Sequence, residues 1–147
     1  MKLHVTSDAA MHSFGVRLAH VLSGGVTIQL VGDVGAGKTT LTKGIAAGLG
    51  VTEAVQSPSF TISRVYDLPD GRTLAHYDFY RLSDPGILAN ELAETASDPQ
   101  TITVIEWADI VAGVLPADTL TITIVSPTET ERDVVLSGNE AIIRSLT

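Results

Sequence analysis

The residues best placed to do chemistry lie in "GDVGAGKTT", residues 32–40. Gly32, four intervening residues, Gly37, Lys38 and Thr39 have the spacing G-x-x-x-x-G-K-[ST]. Glycines at 32, 35 and 37 let successive backbone N–H groups turn inward around a phosphate with no Cβ in the way. A helix opening at Lys38 adds its unpaired first-turn amides and the positive end of its dipole. Lys38 would then reach the β- and γ-phosphates, and the Thr39 hydroxyl would ligate Mg²⁺. By chance the pattern arises in roughly half a per cent of chains of this composition. A dinucleotide fingerprint is excluded, because G-x-G-x-x-G orders its glycines differently. The loop reads as a site for a nucleoside triphosphate.

Such a loop needs a carboxylate to hold Mg²⁺ or to order the attacking group, normally at the C-terminal end of a neighbouring apolar strand. Two residues compete for that place. Glu106 ends the apolar "TITVI", and Asp78 ends "TLAHY" inside "HYDFYRL". His76 shares a strand face with Asp78 and reads as a hydrogen-bonded packing residue rather than a base. Tyr77, Phe79 and Tyr80 read as core or interface. Trp107, beside Glu106, can pack over the site or support a partner surface. Arg81 and Arg132 are the arginines to watch for pairing with phosphate or nucleotide.

The elements that must position these residues are legible from periodicity. "VTIQLV" (26–31) is a buried strand running into the glycine loop. The helix after it carries Leu41, Ile45 and Leu49 on one face and stops at Gly50. Before it, "LHV" (3–5) is a short strand, and Thr6, Ser7 and Asp8 offer caps for a helix bearing Phe14, Leu18, Val21 and Leu22. Residues 59–79 read as an antiparallel hairpin turning at Pro69-Asp70-Gly71. Asp84 and Pro85 suit the cap and first position of a helix through Leu88 and Leu92. Then come the strand "TITVIEW", a short helix at 108–113, the strands "TLTITIV" and "RDVVL", and a last helix capped by Asn139.

Composition narrows the class. At 147 residues, 44% hydrophobic and 18% charged, the chain suits one soluble globular domain. No apolar run approaches the roughly 20 residues that span a bilayer. The start "MKLHVTSDAA" lacks a signal-peptide core, so the cytoplasm is the expected location. With no cysteine there is no disulfide, thiolate zinc site or cysteine nucleophile. The net charge is −8, from three lysines and six arginines against 17 acids. That balance lacks the basic face a stand-alone nucleic-acid binder uses, so any role near RNA would run through a partner.

A GTPase is disfavoured: no aspartate has glycine three positions later, and no lysine fits the guanine-reading [NT]-K-x-D. A small-molecule kinase would need an arginine-rich lid, which six scattered arginines barely allow. It stays open as an alternative, beside a nucleotide-gated binding module.

The ordered series "GDVGAGKTTLTKGIAAGLG", "SPSFT", "HYDFYRL", "IEW" and L-P-x-D-x-L resembles the TsaE family, from about residue 7 to residue 136. The resemblance implies a single α/β domain over 1–147, a P-loop NTPase-type mixed β-sheet flanked by helices. It implies an ATPase using ATP and Mg²⁺ with a TsaB–TsaD pair, whose TsaD member transfers threonylcarbamoyl to adenosine 37 of tRNAs reading ANN codons. By motif position, Gly35, Ala36, Gly37, Lys38, Thr39 and Thr40 would wrap the phosphates, and Thr39 and Glu106 would hold Mg²⁺. Asp78 matches the acid linked to hydrolysis, and Asp8 and Arg132 match positions touching the nucleotide. Ser57 to Thr61 matches a mobile switch-like loop. The segment "ETASDPQ" (94–100) departs from the family pattern.

Overall fold

A computed structural model of the chain describes residues 1–33, 35–55, 63–80, 84 and 86–147. The expected switch segment 57–61 and Arg81 lie outside the described residues. The elements run β1 (Lys2–Val5), α1 (Asp8–Ala19), β2 (Thr27–Val31), α2 (Lys38–Leu49), β3 (Ser63–Asp67), β4 (Thr73–Asp78) and α3 (Leu88–Ser97). They continue with β5 (Thr101–Glu106), a 3₁₀ helix (Ala108–Val114), β6 (Leu120–Val125), β7 (Arg132–Ser137) and α4 (Glu140–Leu146).

The strands form one seven-stranded sheet in the order β1-β7-β6-β2-β5-β4-β3. Its centre is parallel, with β2 between β6 and β5 and β4 beyond β5. The flanking pairs β1–β7, β6–β7 and β3–β4 are antiparallel. All six residues of β5 are buried, as expected for a strand covered on both faces. The parallel strands end together, so Val31, Glu106 and Asp78 share one edge, where open α/β sheets bind ligands.

Two apolar clusters fill the faces. The larger joins Phe14, Leu18, Leu41 and Ile45 of α1 and α2 to Ile28, Leu30, Leu74, Ile102 and Val104 of the sheet. The smaller packs Leu92 and Val111 on Ala75, Tyr77 and Ile105. Alternation along β4 sends Leu74, His76 and Asp78 to the first face and Ala75 and Tyr77 to the second.

Helices α1 and α2 meet through glycine. A Cβ at Gly48 would stand 2.6 Å from the Cβ of Ala19, one at Gly15 would stand 2.7 Å from the Leu41 carbonyl oxygen, and one at Gly44 would strike the His12 carbonyl. This contact sets the depth at which the helix behind the phosphate-type loop lies.

Three element boundaries differ from the sequence reading. The third helix opens at Leu88, not at Pro85. Gly86 has φ +50°, which no α-helix accommodates, and the Asp84 carboxylate accepts from the Gly86 N–H at 3.0 Å, closing a turn instead of capping a helix. Helix α1 ends at Ala19. Val21 and Leu22 follow in a tighter turn, their N–H groups donating to Leu18 and Ala19, and Leu22 is still buried. The segment after β5 is 3₁₀ and runs to Val114.

Candidate functional site

The glycine loop joins β2 to α2, and its glycines are there for two different reasons. Gly35 and Gly37 have φ of +83° and +108°, left-handed values that side chains other than glycine rarely adopt. Gly37 also caps α2 with no side-chain acceptor, leaving the cap to backbone geometry. Gly32 is different. A Cβ there would stand 2.9 Å from the Ile124 carbonyl oxygen of β6, so it is glycine to let the neighbouring strand close. That gives Gly32 a packing reason beside the phosphate role expected of all three glycines.

Lys38, the first residue of α2, is 6% exposed. Its ammonium donates to the Gly32 carbonyl at 2.7 Å and lies 3.8 Å from the centroid of the Trp107 ring. A cation over an indole face is an attractive contact, stronger when desolvated. Burial lowers the Lys38 ammonium from its ordinary pKa, while Glu106, Asp78 and Asp33 favour its charge. Trp107 reaches this place because it has φ 57°, the left-handed non-glycine residue of the described chain, at the junction of β5 and the 3₁₀ helix. The Tyr80 ring packs against that of Trp107, tilted by 45° with centroids 4.8 Å apart.

The two competing acids turn out to be neighbours. Asp78 and Glu106 are register partners at the ends of β4 and β5, and the Phe79 N–H donates to the Glu106 carbonyl at 3.1 Å. Glu106 is 3% exposed, and its Oε2 meets His76 Nε2 at 2.7 Å. Asp78 is half-buried; its Oδ1 accepts from the Tyr80 N–H at 3.0 Å, and burial raises its carboxyl above the usual range. His76 is thus hydrogen-bonded and packed, as expected. Its partner Glu106 was missed, because the bond depends on β4 lying beside β5, which alternation within either strand does not carry.

Arg132 begins β7 and ties distant segments together. Its guanidinium donates to the carbonyls of Ala36 (3.0 Å) and Gly35 (3.4 Å), and to those of Thr128, Glu129 and Glu131. Asp8 opens α1, whose cap is Ser7, the Oγ accepting from the Ala10 N–H at 3.0 Å. A cleft of about 450 Å³ brings together Asp8, Gly35, Gly37, Lys38, Thr39, Thr40, Asp78, Glu106 and Arg132, with Tyr80 and Trp107 in its wall. An adjoining cleft of about 230 Å³ shares Asp8, Gly37 and Arg132. Ala36 stands apart: it is buried in the core and offers its carbonyl to Arg132. Tyr80, read from sequence as core or interface, is exposed and lines the cleft.

Among the described residues no three His, Cys, Asp or Glu side chains cluster so as to hold a metal unaided. One hydroxyl and one carboxylate, from Thr39 and Glu106, line the same cleft. Hard oxygen donors in that number suit Mg²⁺ that takes its remaining ligands from water and a bound phosphate.

A parallel-centred sheet with a glycine loop leading into a helix, and acids on the adjoining strand ends, defines a phosphate-loop α/β protein. Residues 5–134 match the family described as threonylcarbamoyl adenosine biosynthesis protein TsaE, and the chain belongs to that family. It is 45% identical over 100 residues to the tRNA threonylcarbamoyladenosine biosynthesis protein TsaE of Streptomyces coelicolor, covering 67% of this chain and 68% of that one. To the Bacillus subtilis protein of the same description it is 39% identical over 119 residues, covering 78% and 70%. The crystal structure of Bacillus subtilis YdiB superposes with a TM-score of 0.82 at 30% identity, over 99% of this chain and 93% of that one. Among the described residues no helix is long and apolar enough to cross a membrane.

Proposed function

We propose that this chain is a Mg²⁺-dependent ATPase that serves as an accessory subunit in forming N6-threonylcarbamoyladenosine at position 37 of tRNA, working in the cytoplasm with a TsaB–TsaD pair. The observation that supports it best is the gathering of Lys38, Thr39, Asp78 and Glu106 in one cleft at the parallel strand ends. Family membership supplies the pathway.

In this reading Gly35, Gly37 and the first turn of α2 cradle the phosphates, while Asp8 and Arg132 meet the rest of the nucleotide. Lys38 leaves the Gly32 carbonyl and the Trp107 ring to face the β- and γ-phosphates. Thr39 and Glu106 hold Mg²⁺, which neutralises phosphate charge when bound. Asp78 orders the attacking water or reports the γ-phosphate to the switch segment. Lys38 and Arg132 are the cations lining the cleft among the described residues. Among the described residues Arg132 is the arginine lining the cleft, and five carbonyls engage it rather than leave it poised as a finger, which supports slow turnover without partners. Such a finger is worth ~10³–10⁵ in rate.

The test is phosphate release from Mg²⁺–ATP with no acceptor added, paired with co-purification with TsaB and TsaD in the presence of a non-hydrolysable ATP analogue, of ADP, or of neither. Acceptor-free release that partners stimulate, with nucleotide-dependent association, is expected. Release only with a small-molecule acceptor would make it a kinase. Partner affinity identical in all three states, or tight tRNA binding by this chain alone, would overturn the accessory role.

A further inference from the structure

His76 is fully buried, yet it lies one residue pair behind the cleft. On the face covered by α1 and α2, the register sets Leu74 beside Ile102, His76 beside Val104, and Asp78 beside Glu106. Two apolar rows would continue naturally through position 76. Instead an imidazole stands there, and Nε2 reaches diagonally forward to Glu106 Oε2 at 2.7 Å. The other ring nitrogen, Nδ1, is buried and meets no hydrogen-bond partner among the described residues. The bond to Glu106 is therefore what the ring is there to make. A carboxylate only accepts, so the nitrogen facing it carries the hydrogen.

A buried polar pair of this kind is a poor source of stability, because desolvation offsets its attraction. Its value lies in where it holds the carboxylate. Glu106 shares the cleft with Lys38, whose charge it favours. Holding one carboxylate oxygen by a buried imidazole fixes where the other lies in that cleft.

We propose that His76 is the positioning residue of the metal site: its Nε2–H holds Glu106 Oε2, fixes the carboxylate and leaves the second oxygen for Mg²⁺. This rests on the reading that Glu106 holds the metal. Carboxylates that ligate metals are themselves hydrogen-bonded, and removing such a partner typically weakens metal affinity by about 10–100-fold.

The experiment titrates Mg²⁺ into the protein with a fluorescent non-hydrolysable ATP analogue, and measures binding of the same analogue in EDTA. His76→Phe is expected to raise the Mg²⁺ midpoint by about 10–100-fold, while EDTA binding stays within about twofold of the parent. His76→Gln, which can still present an N–H to Glu106, is expected to recover most of the loss. An unchanged midpoint in His76→Phe, an equal loss with and without Mg²⁺, or a glutamine variant no better than phenylalanine would overturn the proposal. Glu106→Gln separates the two levels. If it leaves the Mg²⁺ dependence intact, the metal role of Glu106 falls and this inference with it; if it shifts the midpoint and His76→Phe does not, only the inference falls. Nitrogen-15 resonances of the His76 ring in the parent protein give a measurement that needs no substitution. They should show hydrogen on Nε2 and a response to Mg²⁺ with the analogue beyond that to the analogue alone. Hydrogen on Nδ1, or no such response, would overturn it.

Discussion

Lys38 is held at rest by a carbonyl and a ring, and in the proposed role it turns from the ring to face a phosphate. Trp107 is the one tryptophan of the chain, so its emission reports that departure directly. Adding Mg²⁺–ATP should change the Trp107 emission. Lys38→Ala should give an altered starting emission, no nucleotide response and an unchanged far-ultraviolet circular dichroism spectrum; nucleotide binding by this variant like the parent's would refute the loop assignment. The two acids should separate in a second experiment. Glu106→Gln should weaken Mg²⁺-dependent binding, whereas Asp78→Asn should spare binding and slow turnover about 10²-fold or more. Equilibrium titration beside single-turnover kinetics distinguishes them, and reversed profiles would exchange their roles. Most of these residues were legible because a spacing motif ties residue type to chemistry. The packing reason for Gly32 was not legible, because it is the approach of β6, a strand some ninety residues later in the chain, and no local pattern carries that. His76 was placed correctly as packed, but its bond to Glu106 depends on the pairing of β4 with β5.

At the scale of elements, the glycine contact between α1 and α2 has a measurable cost attached. Gly48→Ala places a methyl against Ala19 and should destabilise the protein by about 1–3 kcal/mol, as overpacking does. Gly113→Ala, where nothing lies within 4 Å of the added Cβ, should be neutral or stabilising by up to about 1 kcal/mol. Urea denaturation of both variants decides it, and equal midpoints would mean that the helices can part without penalty. Strands and helices with clear periodicity read correctly from the sequence, down to Asn139, whose side chain accepts from Ile142 N–H at 3.2 Å as the cap of α4. The start of α3 did not, since Asp-Pro serves a turn as readily as a helix cap. Only the left-handed Gly86 two residues on decides between them.

Across the whole molecule, acidity and topology act together. The chain carries −8, and two of its acids are spent at the sheet edge: His4 of β1 bonds Asp133 at 2.8 Å and Glu131 at 3.3 Å, the residues either side of Arg132. The hydrogen bond from Asp133, then that from Glu131, raises the His4 pKa above its ordinary 6.5. A raised value in the folded state means that protonation favours folding. The contribution is fully present below pH 6.5 and fades as pH rises through the folded-state value. Thermal melts of the parent and of His4→Gln should therefore differ most below pH 6.5 and converge in alkali; a constant gap would show that charge is not the cause.

The pairing of β1 with β7 also makes completing the cradle a long-range event in the chain. Among the described residues β1 stands at one end of the sheet order beside β7, and Arg132 reaches back across 96 positions to the loop carbonyl of Ala36. A growing chain that has exposed the glycine loop, Asp78 and Glu106 still lacks β6, β7 and the clamp that sets the loop. A chain cut off before residue 120 would thus carry Lys38, Asp78 and Glu106 with no β6, β7 or Arg132 to complete the cleft around them.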